Sequence, residues 1–187
     1  MPYGYQCRLA CGPHADTTKP DSLRNGADCK SQLINIPTGL GKTAAVVLAW
    51  LWNRVQLQDQ KWPRRLVYCL PMRTLVEQTE EEVKKWLKNL SDKSSELAMD
   101  EQSWKDLKWL LEHSPIVLMG GEELDNSRRE WDIYPEKPAI LIGTQDMLLS
   151  RALNRGYLYF RAYQSAAPLK LHQDLAVDVF PPYSTLR

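Results

Sequence analysis

The run Asn35-Ile36-Pro37-Thr38-Gly39-Leu40-Gly41-Lys42-Thr43 constrains this chain more than any other stretch. It follows a short apolar segment, Gln32 to Ile36, and leads into a helical pattern from Thr43 to Leu57. A glycine-rich turn between strand and helix aims backbone N–H groups at one spot, and the helix dipole favours an anion there. Gly39 and Gly41 let the backbone pass close to phosphate oxygens, Lys42 can reach the outer phosphates, and Thr43 can offer its hydroxyl to magnesium. Pro37, Thr38, Gly39, Leu40, Gly41, Lys42 and Thr43 are therefore the expected contacts to a nucleoside triphosphate. Lys42 and Thr43 are the expected chemical groups, and Thr43 the expected metal contact.

Around this loop the sequence alternates short apolar runs with helical stripes, the pattern of a parallel sheet with crossover helices. The expected strands are Gln32 to Ile36, Arg65 to Leu70, Ile116 to Met119 and Ala139 to Ile142, with the first central and parallel to the rest. The helix from Thr43 carries Ala44, Val47, Leu48 and Leu51 on one stripe, and Thr74 to Leu90 carries Leu75, Val83, Trp86, Leu87 and Leu90. A third helix, Asp100 to Glu112, is expected to pack Trp104, Leu107 and Leu111 into the core behind a surface insertion at Asn89 to Glu96. The first thirty residues read as a loop-rich approach, with regular structure starting at Leu33. The fold class is α/β, with helices on both sheet faces.

Composition narrows the class without naming a partner. Hydrophobic residues at 43% and charged residues at 25% describe a globular chain. A net charge of +1 supplies no global attraction to nucleic acid, so such binding must come from local placement. The N-terminus lacks a signal pattern and no stretch approaches the roughly 18 apolar residues of a membrane span, so a cytoplasmic protein without membrane contact is expected. Cys7, Cys11, His14 and Cys29 could supply four ligands to a metal, but no second closely spaced pair follows, and reduced thiols are the simpler reading.

Several blocks in order resemble a superfamily 2 helicase. Pro37 to Thr43 has the form Pro-Thr-Gly-x-Gly-Lys-Thr that many helicases carry, with Ile36 where the general phosphate-loop pattern has glycine. Tyr5-Gln6 resembles the adenine-recognising glutamine element, and Leu70-Pro71-Met72-Arg73-Thr74-Leu75-Val76-Glu77-Gln78-Thr79 resembles motif Ia. Met119-Gly120-Gly121 resembles the glycine pair after the next strand, and Ile142-Gly143-Thr144-Gln145-Asp146-Met147-Leu148 resembles motif Ib. The combination is most similar to the first motor lobe of the type I CRISPR-associated helicase–nuclease, over about residues 3–156. That resemblance implies a RecA-like lobe that binds ATP and Mg2+, with Gln6 reading adenine. It places Arg73, Thr74, Gly121, Thr144 and Asp146 along a single-stranded DNA track and implies a CRISPR surveillance complex as partner.

The resemblance stops near Gly156. The family pattern continues with an apolar strand ending in Asp-Glu, whose acids hold magnesium and orient the attacking water. The nearest run here, Leu175-Ala176-Val177-Asp178-Val179, has valine at the second acid. Residues 157–187 therefore read as a divergent tail of the kind a frameshift or truncation produces, expected to be the least ordered and least sheet-like part, leaving the fold incomplete at its C-terminal end. The three histidines, His14, His113 and His172, form no adjacent His-Asp pair of a nuclease, and His113 reads as a helix C-terminal residue. These features predict a lobe of residues 1–156 that binds ATP and is impaired in hydrolysis by itself. The competing reading is a regulatory fragment that occupies the motor's DNA or its surveillance-complex partner without catalysis. A small phosphate-loop kinase is disfavoured by the Pro-Met-Arg-Thr block and by the lack of a substrate lid. A remnant without function is a further alternative.

Overall fold

The computed structural model describes residues 2–93, 97, 99–119, 133–152 and 174–178, the last span and residues 150–152 as backbone. Arg65-Leu-Val-Tyr-Cys-Leu70 is apolar on both faces, as a strand covered from two sides requires, and it forms β1. Ile116–Leu118 forms β2, Ala139–Thr144 β3 and Asp174–Asp178 β4. They make a four-stranded sheet in the order β2-β3-β1-β4. All pairings are parallel, with Tyr68 opposite Ile142 and Val177, and Cys69 opposite Gly143 and Asp178.

The helices are α1 (Gly4–Cys11), α2 (Lys42–Trp50), α3 (Arg73–Asp92), α4 (Glu101–His113) and α5 (Gln145–Ala152). A π-helical segment, Leu51–Gln56, extends α2. Alternate strand residues feed two cores. Leu66, Tyr68, Leu70, Val117, Ile140 and Ile142 pack with Val47, Trp50, Val76, Val83, Leu87 and Leu110 of α2, α3 and α4. Val67, Ile116, Leu118, Ala139 and Leu141 face the other way and meet Leu148 of α5. The result is the α/β architecture expected, with helices on both faces.

Several expectations are corrected. Gln32 to Ile36 is not a strand, and Leu33 is 91% exposed. β1 already pairs on both sides, with β3 and β4, so no central position remains for it. As a strand, Gln32 would share a face with Ile34 and Ile36, and Asn35 would share the other with Leu33, so each face would bury a polar side chain. The tail, expected to be the least sheet-like part, does contribute to the sheet, since its Asp174–Asp178 run forms β4. Regular structure begins at Gly4 rather than Leu33, since Gly4-Tyr-Gln-Cys-Arg-Leu-Ala-Cys11 forms α1 with a capping box between Tyr3 and Gln6. Asn89 to Asp92, expected in an insertion, completes α3. On α4 the buried face is Ser103, Leu107 and Leu110, whereas Trp104 is 39% exposed. Ser103 wins that face because its hydroxyl donates to the Val55 carbonyl at 2.7 Å and caps the end of the π-helical segment. Gly120, Gly121 and residues 153–173 and 179–187, His172 among them, lie outside the described residues.

One buried side chain ties the N-terminal region to α2. Asn53 is fully buried; its Oδ1 accepts from the Ala27 amide at 2.8 Å. Its Nδ2 donates to the Ala10 and Ala49 carbonyls, each at 2.8 Å. Gly26 passes so close that an added Cβ would lie 2.5 Å from Asn53 Oδ1. This junction fixes the end of α1 against the C-terminal end of α2 and the π-helical segment that follows it.

Candidate nucleotide site and strand-end track

The loop before α2 adopts the backbone that its glycines permit. Gly39 has φ 83° and Gly41 has φ 74°, both in the left-handed region where a side chain is strained. Gly41 is the N-cap of α2, so the helix begins at Lys42. The amides of Gly41, Lys42, Thr43 and Ala44 donate to no acceptor among the described residues; the first helical bond is from Ala45 to the Gly41 carbonyl at 2.9 Å. These converging free donors, at the positive end of a helix, form an anion cradle. A Cβ built on Gly39 meets nothing within 4 Å, so the loop has open space beside it.

Side chains from α1 hold this loop. Tyr5 donates its hydroxyl to the Leu40 carbonyl, and Gln6 Nε2 donates to the Gly41 carbonyl at 3.2 Å. Gln6 Oε1 accepts from the Tyr3 amide at 2.8 Å, which caps the start of α1, so both ends of its amide are engaged while Nε2 alone holds the loop. Lys42 folds back, its ammonium donating to the Ile36 carbonyl. Pro37 and Thr38 are exposed and Leu40 is half-buried.

Thr43 is linked to the sheet. The phenol of Tyr68, on β1, donates to Thr43 Oγ1 at 3.2 Å. Tyr68 is 3% exposed, and burial pushes its phenol above the ordinary tyrosine range, against the opposing effect of the Thr43 bond. Tyr68 and Asn53 were not singled out from sequence. Tyr68 had a legible signal, since a tyrosine in a fully apolar strand needs a partner for its hydroxyl. Asn53 had none, because its partners lie far along the chain.

The remaining expected residues gather at the carboxyl edge of the sheet, where ligands of open parallel sheets bind. Arg73 and Thr74 open α3 just after β1, and both are exposed. Thr144 ends β3 and is half-buried; Asp146 follows in the first turn of α5. Thr74 and Thr144 each stand between a strand and a helix, as their spacing suggests. The N-cap of α3 is Met72, which makes no side-chain capping bond, so α3 also presents unsatisfied amides at this edge. Gly143 is required by close approach: an added Cβ would sit 2.6 Å from the Leu118 carbonyl. β4 ends at Asp178, in register with Cys69 and therefore on the same edge. Gly121 lies outside the described residues. His113 ends α4, with Nδ1 2.9 Å from the Trp109 carbonyl.

A glycine-bent loop opening a helix, a lysine and threonine at its start, and a parallel sheet beneath define an α/β phosphate-loop nucleotide-binding lobe. Over residues 18–165 the chain matches the model of the DEAD/DEAH box helicase family, and it belongs to that family. The match covers the phosphate loop and the Arg73, Thr74, Thr144 and Asp146 positions, and begins downstream of Gln6. No curated protein and no solved structure matches the chain. Among the described residues no helix is long and apolar enough to cross a membrane.

Proposed function

We propose that this chain is the ATP-binding motor lobe of a DNA helicase of the type I CRISPR-associated kind, acting along single-stranded DNA with a surveillance complex as partner. The observation that carries the nucleotide part is the set of free amides from Gly41 to Ala44 beside Lys42 and Thr43. The CRISPR and DNA parts are supported by the Pro-Met-Arg-Thr-Leu-Val-Glu-Gln and Gly-Thr-Gln-Asp blocks and their location at one sheet edge. Lys42 would release the Ile36 carbonyl to meet the outer phosphates, and Thr43 would face Mg2+, which neutralises charge on the phosphates when bound. Arg73, Thr74, Gly121, Thr144 and Asp146 would follow the DNA backbone, giving salt-dependent binding with little sequence preference. Gln6 would read adenine after exchanging at least one of its present bonds.

Hydrolysis needs a carboxylate to position water and charge-stabilising groups around the transferred phosphoryl. Asp178 ends β4, but valine follows where the family has its second acid. The lobe is therefore expected to bind ATP and to turn it over near background by itself, with or without single-stranded DNA. Calorimetric titration tests the first part: Lys42→Ala should weaken MgATP by at least about tenfold through loss of a charge-assisted contact. Equal affinity of the two proteins would show an idle loop. Steady DNA-stimulated turnover, abolished by both Lys42→Ala and Asp178→Asn, would show that β4 completes the acidic site after all.

A further inference from the structure

We propose that Tyr68 is a positioning residue for the Thr43 hydroxyl, holding it for the divalent cation that accompanies the nucleotide; this rests on the ATP reading above. Thr43 is the second residue of α2, and a threonine in a helix divides between two χ1 rotamers because its hydroxyl can bond back to a carbonyl one turn earlier. In the first turn that hydroxyl has no fixed orientation of its own. Tyr68 supplies one from the sheet, through the 3.2 Å bond to Oγ1.

The phenol is built for that contact. Its ring is part of the principal core, on the face shared with Val47, Trp50 and Val76, so its hydroxyl cannot wander. Among the described residues Thr43 Oγ1 is its one polar partner. A phenol buried beside an apolar helix needs that partner, and phenylalanine would fill the same volume without needing it. The stoichiometry of the bond also suits a cation. Oγ1 has two lone pairs and one proton; accepting the Tyr68 proton uses one lone pair and leaves the other for a metal. Burial keeps the phenol protonated and hence a donor across the range in which nucleotide binds.

Three alternatives make different predictions. If Tyr68 only fills space, Tyr68→Phe changes nothing. If it only stiffens the loop, every nucleotide form suffers alike. If it orients Thr43, the loss is confined to the cation-dependent part of binding and requires the threonine hydroxyl.

The experiment is calorimetric titration of the full chain with ATP in excess Mg2+ and with ATP in EDTA, for wild type, Tyr68→Phe, Thr43→Val and the double variant, with Lys42→Ala as control. Tyr68→Phe is expected to weaken MgATP about three- to tenfold, the range of one hydrogen bond, and to leave EDTA-ATP unchanged. In the Thr43→Val background, Tyr68→Phe should add no further loss. Equal losses with and without Mg2+, full additivity with Thr43→Val, or no effect of Tyr68→Phe would each overturn the assignment. A thermal midpoint lowered together with both nucleotide affinities would do so too, by making Tyr68 a folding residue only. The nucleotide reading fails separately: Lys42→Ala would then match wild type, and the Tyr68 assignment would fall with it. A silent Tyr68→Phe beside a damaging Lys42→Ala removes the Tyr68 assignment alone.

Discussion

The phosphate loop and the strand-end track lie near the same edge of one sheet, yet they are held by opposite means. At the candidate track, each proposed contact residue is a neighbour in sequence of the strand that places it. Thr144 ends β3, Arg73 opens α3 two residues after the Pro71 that leaves β1, and Gly143 sits directly against Leu118. At the loop, no strand leads in. Position comes from side chains of distant segments: Tyr5 and Gln6 from α1, Tyr68 from β1, and behind them Asn53, which fastens α1 to α2. Backbone ladders hold the track; a set of single hydrogen bonds holds the loop. The loop should therefore yield to polar substitutions that the track ignores, and the track to steric ones that the loop ignores.

The largest effect is expected at Asn53. Asn53→Ala removes three buried hydrogen bonds, from the Ala27 amide and to the Ala10 and Ala49 carbonyls, and leaves the Ala27 amide and Ala10 carbonyl only their 3.1 Å bond to each other. At about 0.5–1.5 kcal/mol for each lost bond, a loss of roughly 3 kcal/mol in unfolding free energy is expected by denaturant titration. The loss should also be local. Hydrogen exchange should accelerate across α1 and at the Ala27 amide and stay unchanged in β1 and β3. Uniform acceleration through the sheet would show that the two regions share one support.

Gly143 breaks the comparison from the other side. In Gly143→Ala the new methyl would meet the Leu118 carbonyl at 2.6 Å, Leu118 Cβ at 3.0 Å and Leu148 at 3.2 Å. None of these can move without shifting β2 against β3 or lifting α5. A destabilisation of about 2–3 kcal/mol is expected, typical of overpacking in a tight core. If the DNA reading is right, single-strand affinity should fall while ATP affinity holds. A variant that lost ATP binding and kept DNA binding would reverse the assignment of the two regions.

The same contrast explains what was legible in the sequence. β1, β2 and β3 were readable because their apolar runs are buried on both faces, and the boundaries of α3 and α4 followed from helical stripes. The glycines, Lys42 and Thr43 were readable because their spacing is a local geometric requirement. Strand status for Gln32 to Ile36 was a false inference from that same motif: the loop's chemistry is local, whereas strand pairing depends on which neighbour takes the position beside β1. β4 was not legible as a sheet member because its run ends in one acid where the family pattern has two, while pairing depends only on the apolar residues before it. Its apolar Leu175, Ala176 and Val177 were sufficient to pair with β1. Trp104 was misplaced because a stripe fixes a face only to within one residue in a turn, and Ser103 had a carbonyl to cap.

The smallest effect, and the one that sharpens the comparison most, belongs to Gln6. Its amide now spends Nε2 on the Gly41 carbonyl and Oε1 on the Tyr3 amide, both exposed bonds at the surface of the lobe. Exposed neutral hydrogen bonds contribute little to stability, so Gln6→Ala should lower the unfolding free energy by no more than about 1 kcal/mol. Its effect on nucleotide should be larger than its effect on folding, about two- to fivefold in affinity, because it helps to hold Gly41 at the left-handed φ that starts α2. Two roles then separate by the base. A residue that only holds the loop affects ATP and GTP equally, since the loop meets phosphates that both share. A residue that reads adenine weakens ATP and leaves GTP where it was. Titration of wild type and Gln6→Ala with both nucleotides decides between them. Equal losses would place Gln6 with Tyr5 as a tether of the loop, and an adenine-selective loss would show that its bonds to Gly41 and Tyr3 are exchanged when nucleotide binds.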